Sequence, residues 1–394
     1  MIYLIILILL LYFSYFYDIK GCSPKKNQMY IVVQILLILV AGLRYRIGSD
    51  TTSYIDSFYH EYPTLDAFSW EEYPIGKDPL YVLINAFVKT VGGRFYMVQL
   101  IQSTFVIVLV FKYIKKHSSY IFTCSFFYFI LCFFSYNIEI MRGAMSIVVC
   151  LFANDYILKN KWIKGYLLYF VSILFHAQAL IMLLIPLFKM LKMNKTGIVV
   201  LAVAYFAGII IQSGFGDFAD LIAINDSLNY KVARYAGSEK YSQAGGNMNF
   251  MLVFVLPWLF YSISSLYYVR KSRCNTSLQE LESFVMIGIV FLMIQMNFQI
   301  AFRFVDYFRV YFVLFMSEMF IHLTKSHKNI SLNLAYTRTW IIFLPFFLLI
   351  GYQFYVNYSF RFFPYSSVIE RKIDRNRENG YAIAGYPMAN PNEY

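Results

Sequence analysis

Charge is what this 394-residue sequence has least of: Asp, Glu, Lys and Arg make up 14% of it, against about 25% in soluble globular proteins. That scarcity excludes a soluble enzyme, a disordered tail and a coiled coil. Cysteine is sparse as well. The five (Cys22, Cys124, Cys132, Cys150 and Cys274) fall in apolar runs or Lys-rich turns, so no structural disulfide is expected. No CxxC or Cys/His spacing suits zinc, and no carboxylate cluster suits magnesium, so neither a metal nor another cofactor is expected. The net charge of +12 is dispersed in groups of two or three Lys. A nucleic-acid groove needs it pooled, so nucleic acid is not an expected partner. There is no internal repeat. The first apolar run, Ile2 to Tyr17, has no basic n-region and no small-residue cleavage site, and reads as a retained anchor rather than a signal peptide.

What the chain does have is apolar surface. Hydrophobic residues reach 59%, aromatics 20% and the mean hydropathy +0.55. Long apolar runs alternate with short polar segments, which predicts an all-α, multi-pass membrane protein. Spans are expected near residues 2–17, 29–43, 95–112, 119–136, 138–157, 162–175, 177–190, 196–212, 249–269, 283–300, 303–323 and 339–356. Lys20, Lys25 and Lys26 place the first turn inside, and the later Lys-rich turns follow it. The result is about 12 crossings with both termini outside. Residues 80–92 are too short to cross and suit an interfacial or re-entrant helix. Residues 162–190 read as a hairpin with its tip near His176, or as one tilted helix. A polytopic domain over 1–356 thus carries two long external loops, about 44–94 and 213–249, and a polar external tail, 357–394, unstructured from about Gly380.

A charge inside a bilayer costs about 2.5–3.5 kcal/mol even on lenient scales, so each one needs a reason. Arg44, Arg46 and Asp50 follow the second span. Glu139 and Arg142 begin the fifth, His176 sits at the hairpin tip, and Arg303, Asp306 and Arg309 begin the eleventh. All four sets are predicted at the outer membrane edge. Of the 14 Arg, only Arg270, Arg273 and Arg338 fall on the predicted inner side. This outward excess runs against the positive-inside rule. Arg engages phosphate bidentately, so the cluster suits a polyanionic head group, pyrophosphate first. Blander readings stand beside each: Arg303 with Asp306 and Glu139 with Arg142 are spaced to pair with one another. A lone His176 is more often a satisfied core histidine, and Asp50 could cap a helix.

At these residues the chain resembles the EpsG/Wzy-type polysaccharide polymerases of O-antigen, capsule and exopolysaccharide pathways. The stretches that carry the likeness are Gly42-Leu43-Arg44 through Gly48-Ser49-Asp50 to Tyr54, Asp78-Pro79-Leu80-Tyr81, Ile140-Met141-Arg142, Leu174-Phe175-His176-Ala177-Gln178, Phe302-Arg303-Phe304 with Tyr307-Phe308, and Phe363-Pro364-Tyr365. Each is weak singly; their order and spacing cover nearly the whole chain. The family's mid-chain Arg is usually followed by Gln, where Gly143 stands here, which removes a side-chain partner.

The resemblance implies a GT-C-like glycosyltransferase in the inner (cytoplasmic) membrane. It joins undecaprenyl-pyrophosphate-linked oligosaccharide units at the periplasmic face, with undecaprenyl pyrophosphate leaving and no cofactor. Its partners are the lipid-linked donor and acceptor, the bilayer, and the pathway's flippase and chain-length regulator. In that frame Arg142 and Arg303 grip the donor pyrophosphate with Arg44 or Arg309, and Tyr54 and Tyr307 join the binding set. His176 or Asp50 orients or deprotonates the acceptor, with Glu139 the weaker candidate. Tyr230, Tyr235 and Tyr241 are candidate sugar platforms. The rivals are an O-antigen ligase using the same donor, a polysaccharide or lipid flippase, and a membrane acyltransferase. A flippase would show paired halves and midplane charge, and neither is seen.

Overall fold

The computed structural model describes residues 1–69, 78–221, 251–272, 276–325 and 331–383. Most of the loop expected over 213–249, with Tyr230, Tyr235 and Tyr241, lies outside the described residues, as do Arg273, Cys274, Lys328 and the end of the tail. The described chain is helical throughout. Lipid offers the backbone no hydrogen-bond partners, and a helix satisfies its own. Among the described residues no strand forms; an isolated bridge pairs Arg44 with Ser367.

Seven described helices are long and apolar enough to cross a membrane: Ile2–Ile19, Phe95–His117, Met141–Leu158, Lys195–Ser213, Met251–Lys271, Ser277–Gln295 and Leu332–Val356. This is a multi-pass membrane protein. The count is lower than the dozen expected from apolar runs because other runs fold as shorter helices, Lys26–Gly42, Ile121–Phe133, Trp162–Phe175 and Ala177–Phe188 among them. These fall below the ~20 residues of a straight crossing. Residues 162–190 are not one continuous helix, since the α-helix stops at Phe175 and a tighter helix, Ala177–Phe188, follows.

The chain forms two compact units, Met1–Leu183 with Phe354–Tyr394, and Leu184–Gln353. In the first unit we label α1 (Ile2–Phe13), α2 (Lys26–Gly42), α3 (Ser49–Asp56), α4 (Pro79–Thr90), α5 (Phe95–His117), α6 (Ile121–Tyr128), α7 (Met141–Leu158) and α8 (Trp162–Phe175). On α1 the buried residues are Tyr3, Ile6, Leu10 and Phe13, while Leu4, Ile5, Ile8 and Tyr12 are exposed. On α2, Tyr30, Val33, Leu37 and Val40 are buried and Ile31, Ile35 and Leu39 exposed. Both sets follow the 3.6-residue period, yet both faces are apolar. One faces protein and the other suits acyl chains. Gly42 brings α2 onto α5: a Cβ there would lie 2.9 Å from the Leu100 Cα.

Small polar groups point inward, as they do in membrane bundles. The Ser146 and Ser172 hydroxyls meet at 2.7 Å between α7 and α8, and Gln102 on α5 donates to the Tyr136 carbonyl at 2.9 Å. Asp18 accepts from the Phe122 and Thr123 amides at 2.9 and 2.8 Å, capping the first turn of α6 from another helix. Asp155 near the end of α7 accepts from Tyr113, Lys116 and His117 of α5. These two carboxylates brace the end of the bundle opposite Arg142, about 20 Å away along α7 at 1.5 Å per residue.

The polar segment after Asn357 is tied to the loop that follows α2. The Tyr45 amide donates to the Ser366 carbonyl at 2.9 Å, Val368 to Leu43 at 2.9 Å, and Gly48 to Arg361 at 3.2 Å. A final helix, Arg375–Ile383, carries Glu378, which takes a bidentate pair from Arg46 at 2.8 and 2.7 Å. Arg46 is 2% exposed. A polar tail stays ordered here because its charges and amides are satisfied by the loop it covers.

Glu378→Gln leaves the Arg46 cation buried without its counter-charge. It should destabilise the detergent-solubilised protein by about 3–5 kcal/mol, and adding Arg46→Met should recover most of that. A wild-type thermal midpoint in Glu378→Gln would show that the final helix is not anchored by this pair.

Candidate functional site

Three chain breaks meet in the first unit. Asp78 is extended (φ −88°, ψ 122°) with Pro79 at the first position of α4, where a missing amide costs nothing. Arg142 lies in the first turn of α7, after Ile140 has left helical geometry (φ −91°, ψ 54°). His176 is extended (φ −161°, ψ 120°) at the end of α8. Each break frees a side chain to leave its own helix axis, and the three side chains converge.

Asp78 is the hub. Its Oδ2 accepts from Arg142 Nη1 at 2.8 Å and pairs with His176 Nδ1 at 3.1 Å. Its Oδ1 accepts from the Ala177 amide at 3.1 Å. Burial pushes the Asp78 carboxyl up, but the His176 hydrogen bond, the Arg142 charge and the Ala177 amide outweigh it and hold it below its ordinary value. The group is therefore a carboxylate, and a carboxylate only accepts hydrogen bonds. The other imidazole nitrogen, Nε2, lies 3.0 Å from Gln178 Oε1.

Arg142 is walled by tyrosines. Its Cζ is 5.6 Å from the Tyr54 ring centre and 6.0 Å from that of Tyr81, within cation–π range. Tyr62 stacks edge-on behind Tyr81, with ring centres 6.3 Å apart. Burial pushes the Tyr54 hydroxyl up to about 12 against the lowering effect of Arg142, so it stays a neutral donor. The Arg142 Nε is buried with no hydrogen-bond partner among the described residues. The result is a largely buried basic and imidazole pair, its side chains 25% and 21% exposed, against an aromatic wall: chemistry for holding an anion beside a group that can accept a proton.

The other sequence-derived candidates take different places. Arg44 is fully buried, and its guanidinium bonds the carbonyls of Ala41, Ile47 and Ile138. It ties the loop after α2 to the start of α7. Glu139 accepts from the Ser49 amide and hydroxyl at 3.2 and 2.9 Å and from the Asp50 amide at 3.2 Å. That is an N-terminal cap for α3, and the helix dipole favours a carboxylate there. Asp50 occupies the first turn of α3. In the second unit Arg309 pairs with Asp306 at 2.8 Å and lies 5.5 Å from the Trp258 ring centre. Arg303 lies 5.8 Å from the ring centre of Phe302, and Tyr307 is buried. The structure thus brings together Arg142, His176 and Tyr54, and adds Asp78, Tyr81 and Gln178. Asp78 had a visible signal: an Asp-Pro step opening an apolar run too short to cross.

The model of the EpsG family matches residues 27–367. No curated protein and no solved structure matches the chain.

Asp78→Asn tests the hub. Because the folded carboxyl is held below its ordinary value, its stabilisation is present above the ordinary carboxylate range and is lost as pH falls through the depressed value. At pH 7 the variant should be less stable by about 1–2 kcal/mol. The gap should close below about pH 4. A gap that stays constant with pH would show that Asp78 charge does not hold the cluster.

Proposed function

The chain belongs to the EpsG family, one of polysaccharide polymerase type, and from that premise we propose that it joins oligosaccharide units carried on undecaprenyl pyrophosphate at the outer face of the cytoplasmic membrane. In this reading about twelve crossings form a GT-C-like bundle, with the Asp78 cluster facing outward. The flippase and chain-length regulator of the pathway are its partners. The observation that carries the reading is the cluster itself, where Asp78 holds an Arg and a His on one carboxylate oxygen.

The chemistry follows from those groups. Glycosyl transfer breaks the bond between the donor's anomeric carbon and its phosphate oxygen, and the electron pair leaves with the pyrophosphate. Arg142, fixed by Asp78 against Tyr54 and Tyr81, meets that developing charge without having to reorganise. The acceptor hydroxyl forms the new bond to the anomeric carbon and loses its proton. His176 holds Nδ1 toward Asp78, which leaves Nε2 to take that proton. The energy comes from the donor bond, so the site needs no nucleotide sugar. Arg303 and Arg309 remain candidates for lipid-phosphate contacts on the second unit.

Deleting the gene in its host should abolish the high-molecular-weight glycan ladder and leave single repeat units. Wild type should restore the ladder on complementation. Arg142→Ala should slow polymerisation roughly 100- to 1,000-fold, and His176→Ala roughly 100- to 10,000-fold, both at normal expression. Long polymer that persists on its lipid but is not passed on would make the protein a ligase. An unchanged ladder with either variant would remove that residue from the chemistry.

A further inference from the structure

His176 presents its proton-accepting nitrogen to a residue rather than to an open site. Nε2 lies 3.0 Å from Gln178 Oε1, and the extended backbone at His176 (φ −161°, ψ 120°) brings a side chain two residues on back over the ring. Two further positions of the imidazole have close neighbours. Asp78 holds Nδ1, and a Cβ at Gly143 would lie 3.5 Å from Cδ2. The charged groups facing the ring are Asp78 from the start of α4 and Arg142 from α7.

An amide suits this position for a definite reason. Nδ1 must carry a hydrogen, because its partner is a carboxylate. When the ring is also protonated at Nε2, the Gln178 oxygen accepts from it. When Nε2 is a lone pair, the same amide turned over donates to it. Gln178 therefore satisfies both protonation states without adding charge. A sugar hydroxyl, which both donates and accepts, can replace it bond for bond.

We propose that Gln178 is a positioning residue that stands in for the acceptor hydroxyl and keeps water off His176 until a sugar displaces it. The inference rests on the polymerase reading. An activated donor at a membrane surface faces water in vast excess over acceptor sugar. If water reached His176 Nε2, its oxygen would attack the anomeric carbon, its proton would pass to Nε2, and the pyrophosphate would leave with the electron pair. The repeat unit would then be lost as a free sugar. A small, half-exposed amide blocks that geometry, and an acceptor bound through its other contacts pushes it aside.

Two measurements on the full-length purified protein test this. Diethyl pyrocarbonate acylates an unprotonated imidazole nitrogen, and peptide mass spectrometry locates the adduct, with exposed His60 as internal reference. In Gln178→Ala, His176 should be acylated roughly tenfold faster, the worth of one ordinary hydrogen bond, with His60 unchanged. With lipid-linked repeat units, wild type should make polymer, while Gln178→Ala should release several-fold more free repeat unit per polymer bond. Equal acylation of His176 in both proteins overturns the inference whatever the polymer yield. Faster acylation with an unchanged ratio of free unit to polymer also overturns it, since Gln178 would then cover the ring without guarding the reaction. If wild type makes no polymer, the polymerase reading fails and takes the guarding role with it, while the acylation result still reports the contact.

Discussion

The first unit depends on one carboxylate placed where charge is expensive. Asp78 sits at a break between a loop and a short helix, 6% exposed, and both its oxygens are occupied. Removing it would leave a guanidinium and an imidazole facing each other across an aromatic wall. Keeping it fixes where α4, α7 and the end of α8 begin and stop relative to one another. The Arg142 and His176 side chains are thus set by backbone breaks in otherwise regular helices, and the breaks are held by a charge that those groups neutralise. Site and fold share the same hydrogen bonds.

A second set of buried charges supports that arrangement from the side. Glu139 caps α3 and so aims Tyr54 at Arg142; Arg44 gathers three carbonyls where the loop meets α7. The final helix then locks Arg46 through Glu378. None of these groups is free to take a ligand without dismantling a turn. At the far end, Asp18 and Asp155 do comparable work for α5, α6 and α7. The buried carboxylates Asp18, Asp78, Glu139 and Asp155 all sit at helix ends, as expected where each unpaired buried charge costs several kcal/mol.

Much of this was legible in the sequence. Helical class, membrane insertion and the gathering of Arg142 and His176 at one end followed from apolar runs and from charges with no cheap place to go. The roles of Arg44 and Glu139 were not legible, because their partners are backbone carbonyls and amides, which carry no side-chain signature. Asp78 stood out by its Asp-Pro step, but its role did not, because its partners lie 64 and 98 positions away and only the fold brings them near. The contacts of the C-terminal segment were not legible either, because a polar composition does not say which counter-charges it meets. Where an apolar run kinks or stops short was not legible, since apolar length alone does not reveal it.

In the proposed reaction the pyrophosphate of a lipid-linked sugar is held at Arg142, beside the His176 imidazole. A cryo-EM structure of the full chain in lipid nanodiscs, with bound undecaprenyl pyrophosphate, would show where that group sits. Phosphate density within hydrogen-bond distance of the Arg142 guanidinium, lost in Arg142→Ala, is the predicted result. Phosphate held elsewhere, with the Asp78, Arg142 and His176 cluster unchanged and empty of ligand, would contradict it.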